Sequence, residues 1–222
     1  MNETLIIPNY NSQKIKFDNN TTVLLDFSIQ PLTDIGGGKW IEIGKVQYTT
    51  DENDGTWAEL GKNTTITMDD STIIVGGMDY TIDLWFFVYK IVNSTTHLYD
   101  MSIDGSNNRF CTDIVYPNTL SNMVSSTNII TLGTFELNKV HHFAEVCEYN
   151  KKTVKYYLDG INIASRNNYQ RPKKTYTNRF ELGGDRYYGD RERNFYGKIA
   201  NFRVSQGIAR WTANFDINSI YN

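Results

Sequence analysis

Short runs of β-forming residues alternate with clusters of Gly, Asn, Asp and Ser along the chain, and no segment shows the period of an amphipathic helix. This pattern predicts an all-β protein. Because the runs are too many for one open sheet, we expect two stacked antiparallel sheets, a β-sandwich of the jelly-roll type. The predicted strands are Thr4–Ile7, Lys14–Phe17, Thr22–Gln30, Lys39–Tyr48, Thr64–Met68, Thr72–Val75, Asp79–Lys90, His97–Ile103, Asn108–Val115, Asn128–Leu132, Val140–Tyr149, Thr153–Leu158, Ile161–Arg166, Arg179–Gly183 and Tyr196–Ser205.

Two of these runs carry more information than the others. The run YTIDLWFFV at residues 80–88 becomes apolar on both alternating faces in its second half, which predicts a central strand covered on both sides. The run KYYLDGINIA at residues 155–164 contains Asp159-Gly160, a strong signal for a tight hairpin turn in which Gly adopts a positive φ. We therefore expect a hairpin centred on that dipeptide.

Length and composition narrow the class of protein. A chain of 222 residues can form one large β-domain, and its 11 Phe, 15 Tyr and 4 Trp supply enough buried area for a core without disulfides or metals. A net charge of −3 with both signs interspersed argues against a nucleic-acid-binding protein, which would carry a basic face. No run of about 18 apolar residues is present, so we expect no membrane insertion.

The N-terminal segment and the cysteines bear on where the protein is made. Met1–Asn9 lacks the basic and apolar regions of a secretory signal, which predicts synthesis in the cytosol without cleavage. Cys111 and Cys147 each lie in a strand-like run. We expect two reduced core thiols, and a disulfide between them is the alternative.

Five segments in the second part of the chain follow one another in a familiar order: YTIDLWFFV, VHHFAEV, YYLDGINIA, RFELGGD and FYGKIANFRVSQGIARWTANF. This succession resembles the laminin-G-like or concanavalin A-like lectin-glucanase domain family. The last segment is similar to the variant common in bacteriophage and prophage tail proteins. The resemblance implies a domain over residues 63–222, and residues 1–62 are then either further strands of the sandwich or an attachment element.

The resemblance also implies roles for several residues. His142, the second residue of the His141-His142 pair, is expected to be a buried hydrogen-bonding residue, and adjacent strand residues point to opposite faces, so the pair cannot share a metal ion. Arg203, Arg210 and Trp211 are expected to have packing roles where the domain closes. The family resemblance favours a binding module over an enzyme.

The positions of the acidic residues bear on two further possibilities, catalysis and metal binding. A sandwich glycosidase needs two carboxylates about 5 Å apart, but Glu145 and Glu148 are offset by three and face opposite sides of a strand. We therefore expect no enzymatic activity. We expect no cofactor, with calcium as an open alternative, because no EF-hand-like spacing assembles the loop carboxylates. The candidate calcium ligands are Asp69, Asp70, Asp104, Asp185 and Asp190.

Sugar recognition needs an aromatic ring against the apolar face of a pyranose, together with polar groups for the hydroxyls. The loop Asp185–Asn194 combines two tyrosines with three arginines, and two Trp and one Tyr in other polar stretches could join it. The alternative is that the tyrosines cover the sandwich while the arginines pair with neighbouring acids. The predicted ligand-binding residues are Arg186, Tyr187, Tyr188, Arg191, Arg193, Trp40, Trp57 and Tyr169.

Together these features predict a non-enzymatic phage or prophage virion module, in a fibre, tail or capsid decoration, that binds host-surface or mucosal glycans. Such a protein is made in the host cytoplasm and exposed on the particle. The alternative is a purely structural decoration or cement protein that binds other virion proteins, and a sandwich glycoside hydrolase is a third possibility that the carboxylate spacing disfavours. Because a weak glycan site gains avidity by repetition, we expect a homo-oligomer.

Overall fold

The computed structural model of the chain describes residues 18–28, 32–51, 55–69, 72–101, 110–125, 128–177, 180–184 and 194–221. Over these residues the chain is almost entirely β-structure, arranged as two antiparallel sheets packed face to face. The predicted all-β sandwich is therefore confirmed. No helix in the described ranges is long and apolar enough to cross a membrane.

The first sheet, sheet A, has nine strands. Its main path runs β15-β14-β13-β8-β18-β1-β2, and β4 pairs with β5, which in turn pairs with β18. The strands are β1 (Thr21–Asp26), β2 (Thr33–Asp34), β4 (Gln47–Asp51), β5 (Gly55–Leu60), β8 (Tyr80–Lys90), β13 (Val140–Glu148), β14 (Thr153–Leu158), β15 (Ile161–Asn167) and β18 (Tyr196–Gln206).

The second sheet, sheet B, has seven strands in the order β12-β11-β10-β9-β17-β6-β3. They are β3 (Trp40–Ile43), β6 (Thr65–Met68), β9 (Thr95–Asp100), β10 (Cys111–Val115), β11 (Thr119–Ser125), β12 (Asn128–Thr134) and β17 (Glu181–Leu182). A separate two-stranded sheet pairs β7 (Thr72–Val75) with β16 (Lys174–Thr177). A 3₁₀ helix follows at Ile217–Tyr221.

Strand β8 is the central strand that its two-faced apolar pattern predicts, since it pairs with β13 on one side and β18 on the other. Its residues Ile82, Leu84, Phe86 and Val88 face sheet B and are at most 1% exposed. Trp85 faces the other way and is 2% exposed. Burial on both faces explains why this strand lacks the alternation of polar and apolar residues found in half-exposed strands.

The outer face of sheet A is covered by the segment that follows β18. Trp211 and Phe215 stack on each other with ring centroids 4.2 Å apart and pack against this face. The predicted hairpin turn lies beneath them, and Gly160 has a φ of +79°. A Cβ at Gly160 would lie 2.1 Å from the Phe215 carbonyl oxygen, so only glycine allows this approach.

Several predicted strands differ from the observed ones. The run Lys39–Tyr48 is two strands, because Gly44 with a φ of +78° ends β3 and the chain then enters β4 in the other sheet. Strand β11 was not predicted, because its inward residue Asn122 is polar and joins a buried hydrogen-bond network. The predicted strands Thr4–Ile7 and Lys14–Phe17 lie outside the described residues.

The strands before residue 62 pair into both sheets. β1 and β5 both pair with β18, and β3 pairs with β6. The two cysteines are free and buried, as predicted, and they lie in different sheets, Cys111 in β10 and Cys147 in β13.

Candidate functional site

Because neighbouring strands run antiparallel, their connecting turns collect at two opposite ends of the sandwich. One end carries the turns 61–64, 91–94, 116–118, 135–139 and 159–160, which we call the loop end. The register fixes this grouping, since the start of β18 lies beside both the end of β5 and the end of β8. The loop end is therefore built from chain segments that the core places side by side.

The most exposed large hydrophobic side chain of the described residues lies at the loop end. Tyr116 is 68% exposed on the turn between β10 and β11. Its backbone N–H donates to the Ser94 carbonyl at 3.0 Å. On the other side of the turn, the Phe135 N–H donates to the Asn118 carbonyl at 3.1 Å, and the Asn118 side-chain amide donates back to the Phe135 carbonyl at 2.5 Å. Three turns are thus hydrogen-bonded together beneath the exposed ring.

Further aromatic, apolar and charged groups surround this turn. Val92 is 56% exposed on the neighbouring turn, and Tyr89 is 37% exposed at the end of β8. Burial, followed by the charge of Glu59, raises the pKa of Tyr89 to about 12, so its hydroxyl stays protonated. Next to it, the Lys90 ammonium lies 5.1 Å from the Tyr196 ring centroid. The loop end therefore offers ring faces and hydrogen-bonding groups on one surface.

The predicted binding loop is attached at this same end. The residues Arg186, Tyr187, Tyr188, Arg191 and Arg193 lie outside the described residues, but the segments before and after them are described. Before the loop, the Gly183 N–H donates to the Leu98 carbonyl at 3.2 Å. After it, the Phe195 N–H donates to the Gly183 carbonyl at 3.0 Å. The described segments on the two sides of the loop are thus hydrogen-bonded to each other and to β9.

The other three predicted binding residues lie elsewhere. Trp40 is 7% exposed between the sheets, and its indole N–H donates to Asp34 at 3.0 Å. Trp57 is 5% exposed on the outer face of sheet A, in the cluster with Trp85. Burial leaves neither indole an open face for a sugar. Tyr169 is partly buried at the opposite end of the sandwich, beyond β15, so the structure does not bring these three rings to the loop end.

The outer face of sheet A holds the residues to which the family resemblance gives packing roles. Arg203 donates to both carboxylate oxygens of Asp83, at 2.8 and 3.0 Å, and both side chains are at most 3% exposed. His142 lies 3.4 Å from the same carboxylate and is fully buried. Its ring meets Trp211 edge-on at 5.7 Å. This arrangement confirms the predicted buried role of His142 and the packing roles of Arg203 and Trp211.

A second polar network fills part of the space between the sheets. The Glu145 carboxylate accepts hydrogen bonds from the hydroxyls of Tyr80 at 2.6 Å and Tyr99 at 2.8 Å, and from the Asn122 amide at 3.2 Å. Arg171 lies 3.6 Å away. Burial raises the pKa of Glu145, and these partners only partly oppose the shift. The carboxylate is fully buried among protein donors, and it therefore satisfies the hydrogen-bonding groups in the interior of the sandwich.

The positions of the carboxylates bear on the hydrolase alternative. Glu148 pairs with Lys151 at 2.5 Å and Lys155 at 2.8 Å, whereas the Glu145 carboxylate accepts hydrogen bonds from tyrosine hydroxyls between the sheets. Glu181 and Asp100 are direct cross-strand partners in sheet B, where opposite side chains lie about 5 Å apart. Both are 3% exposed.

A profile of the concanavalin A-like lectin/glucanases superfamily, laminin G type, matches residues 60–210. The chain belongs to this superfamily. The match extends from the end of β5 through β18, and thus includes all five turns at the loop end of this concanavalin A-like domain. No curated protein matches the sequence.

Solved structures of low sequence identity share the concanavalin A-like fold. Domain 4 of the extracellular GH43 arabinanase AbnA from Geobacillus stearothermophilus, solved with arabinotriose, is 19% identical, with a TM-score of 0.67 and coverage of 91% of this chain and 98% of that domain. A structure of botulinum neurotoxin type C, whose cell entry depends on two ganglioside molecules, is 14% identical with a TM-score of 0.64, covering 91% and 51%. The binding domain of botulinum neurotoxin DC, solved with rat synaptotagmin II, is 16% identical with a TM-score of 0.65, covering 93% and 52%.

The chain thus spans about half the length of these two toxin structures and nearly the whole arabinanase domain. At these identities the likeness establishes the fold alone. Within the concanavalin A-like fold, the sequence reasoning missed Tyr116. The signal available for it was the Tyr116-Pro117 dipeptide after a β-rich run, which marks an aromatic residue at a turn.

Proposed function

We propose that this concanavalin A-like domain is a non-catalytic module that binds glycans at its loop end. The observation that carries the proposal is the 68% exposed ring of Tyr116, held on a turn that is hydrogen-bonded to two neighbouring turns. A tyrosine in this setting offers an apolar face to a pyranose and a hydroxyl to the solvent edge. Because hydrogen bonds already hold the backbone of this turn, binding costs little further backbone entropy.

The predicted loop adds the polar part of the site. The loop contains two tyrosines and three arginines, and the described residues on either side of it, Gly183 and Phe195, are hydrogen-bonded to each other at 3.0 Å. Arginine donates in a planar fork that suits vicinal hydroxyls or the carboxylates and sulfates of acidic sugars. We therefore assign the ligand-binding role to the loop and Tyr116 together.

Two solved relatives support a carbohydrate ligand. The arabinanase domain was solved with arabinotriose, and the cell entry of botulinum neurotoxin type C depends on gangliosides. The absence of catalysis is likewise part of the proposal, and it is supported by the engagement of Glu145 with tyrosine hydroxyls and of Glu148 with lysines. We place the module on a phage or prophage virion, as a homo-oligomer, because its closing segment at 195–215 resembles that of tail proteins.

Glycan-array screening of the full chain, followed by calorimetry on the best ligand, tests the proposal. Tyr116→Ala should weaken binding by about tenfold, since one aromatic contact is worth about 1.4 kcal/mol. A combined Tyr187→Ala and Tyr188→Ala variant should weaken it further. Tyr169→Ala is the matched control, a partly exposed ring at the opposite end, and it should leave affinity unchanged.

Two results would contradict the proposal. If Tyr169→Ala removes binding and Tyr116→Ala does not, the site lies at the opposite end. If the bound oligosaccharide is cleaved, and cleavage stops in Glu181→Gln, the protein is a hydrolase. The virion role is tested separately by detecting the protein in purified particles, and a protein that contacts only other virion proteins would favour the structural alternative.

A further inference from the structure

The outer face of sheet B carries ionisable side chains that the glycan proposal does not use. His97 and Asp113 are directly paired across strands β9 and β10, and Asp100 and Cys111 form the next pair in the same ladder. All four are at most 3% exposed. Phe110, Ile114 and the inward residues of the neighbouring strands lie in the core on the other side of the sheet, so these four groups are gathered on its outer face.

A bulge in β9 creates this arrangement. The register passes from Thr112 opposite Tyr99 to Asp113 opposite His97, which leaves Leu98 as an extra residue. In a regular strand, residues 97 and 100 would face opposite sides, because their offset is odd. The extra residue changes the alternation, so that His97 and Asp100 both face outward. Bulges commonly redirect side chains in this way at functional positions.

We propose that His97, Cys111 and Asp113 form a binding site for a divalent cation of the zinc class. The imidazole nitrogen, the thiol sulfur and the carboxylate oxygen all lie within 4.8 Å of one another. Ligand atoms around a tetrahedral zinc ion are about 3.5 Å apart, given zinc–ligand distances of about 2.0–2.3 Å. Small side-chain rotations would therefore bring the three atoms into the coordination shell, in place of the 2.6 Å contact between His97 and Asp113.

The donor set and its charge select the metal. Thiolate and imidazole donors favour zinc and similar transition metals over calcium or magnesium, which prefer oxygen ligands. One thiolate and one carboxylate balance the two charges of the ion, so the bound site would be neutral and tolerant of burial.

The same three residues could instead suggest a nucleophilic cysteine with a histidine base, but their environment disfavours that chemistry. A nucleophilic cysteine needs a path to solvent by which its substrate can reach the sulfur. The side chain of Cys111 is fully buried. A metal ion, which displaces the thiol proton and can enter during folding, fits the site better.

Refolding the full chain from urea in the presence of Zn²⁺ or Co²⁺, followed by gel filtration and elemental analysis, tests this inference. We expect one metal per chain, and in the cobalt form a near-ultraviolet thiolate-to-metal band that reports a sulfur ligand. Cys111→Ser and His97→Ala should each weaken zinc affinity at least about 100-fold in a chelator competition, because loss of an outer-shell partner alone costs about 10–100-fold. Cys147→Ser, which changes the other buried cysteine, should bind metal as the unsubstituted chain does.

Metal binding by the unsubstituted protein tests the inference even if a variant fails to fold. A refolded chain that retains no metal, or a cobalt complex without the thiolate band, would overturn the inference. Equal metal binding by the chain and by Cys111→Ser would do the same. Glycan binding can be measured on metal-free protein, so failure of the metal site and failure of the glycan site are separately visible.

Discussion

Replacing Arg203 with methionine tests how the outer face of sheet A is held together. The substitution removes a guanidinium that donates two hydrogen bonds to Asp83, at 2.8 and 3.0 Å, where both side chains are at most 3% exposed. Asp83 would then be a buried carboxylate facing only His142, 3.4 Å away. Breaking a buried pair in this way costs about 3–5 kcal/mol, because the remaining charge is uncompensated.

The expected effect is large enough to measure simply. For a domain of this size each kcal/mol lowers the melting temperature by about 2–4 °C, so Arg203→Met should melt about 6–20 °C lower. Urea unfolding gives the free energy directly. The double variant Asp83→Leu and Arg203→Met should recover most of the loss, since an apolar pair needs no compensation. Lys139→Ala is the control, because its ion pair with Glu136 is exposed and contributes less than about 1 kcal/mol.

The pH dependence provides a second measurement on the same pair. Burial alone would raise the pKa of Asp83, but the charge of Arg203 and the hydrogen bond from His142 lower it below the ordinary value. The pair therefore stabilises the fold above the unfolded pKa of about 3.9, and this stabilisation is lost as the pH falls through the lower folded pKa.

If Arg203→Met lowers the free energy of unfolding by less than 1 kcal/mol at pH 7, the reasoning is refuted.

The remaining predictions concern the interior and the hairpin. Glu145→Ala should destabilise the protein by about 3–5 kcal/mol in urea unfolding, because two tyrosine hydroxyls, an amide and a guanidinium lose their buried acceptor; a loss under 1 kcal/mol would mean that water replaces it. Gly160→Ala should cost more than about 3 kcal/mol in the same assay, since its Cβ would lie 2.1 Å from the Phe215 carbonyl. Gly37→Ala, at a φ of +87° with open space around it, should cost only about 1–2 kcal/mol, and equal losses would show that the backbone angle alone matters.

Much of the fold could be predicted because local patterns report burial directly. The two-faced apolar run of β8 and the Asp159-Gly160 turn are properties of a few consecutive residues, and both were predicted. Strand β11 was missed because Asn122 faces inward to a hydrogen-bond network whose other members lie in distant segments. A polar residue that is buried by distant partners resembles a loop residue when only the sequence is known.

The candidate sites show the same limit. Trp40 lies in a polar stretch of the sequence, yet its indole is buried. The indole N–H can be buried because Asp34 accepts its hydrogen bond. The exposure of Tyr116 could not be predicted, because it depends on how three separate turns meet. The cluster around His97 depends on the extra residue Leu98, and a bulge of that kind has no reliable sequence signal.

The position of β18 has a consequence for how this protein reaches its native state. β18 is the last of the described strands along the chain, yet it lies in the middle of sheet A, between β8 on one side and β1 and β5 on the other. Until residues 196–206 leave the ribosome, β8 exposes an unpaired and strongly apolar edge. We infer that sheet A can be completed only after translation of β18, although β8, β13, β14 and β15 can pair before it. This late pairing of distant segments is slow and leaves nascent chains prone to aggregation until then.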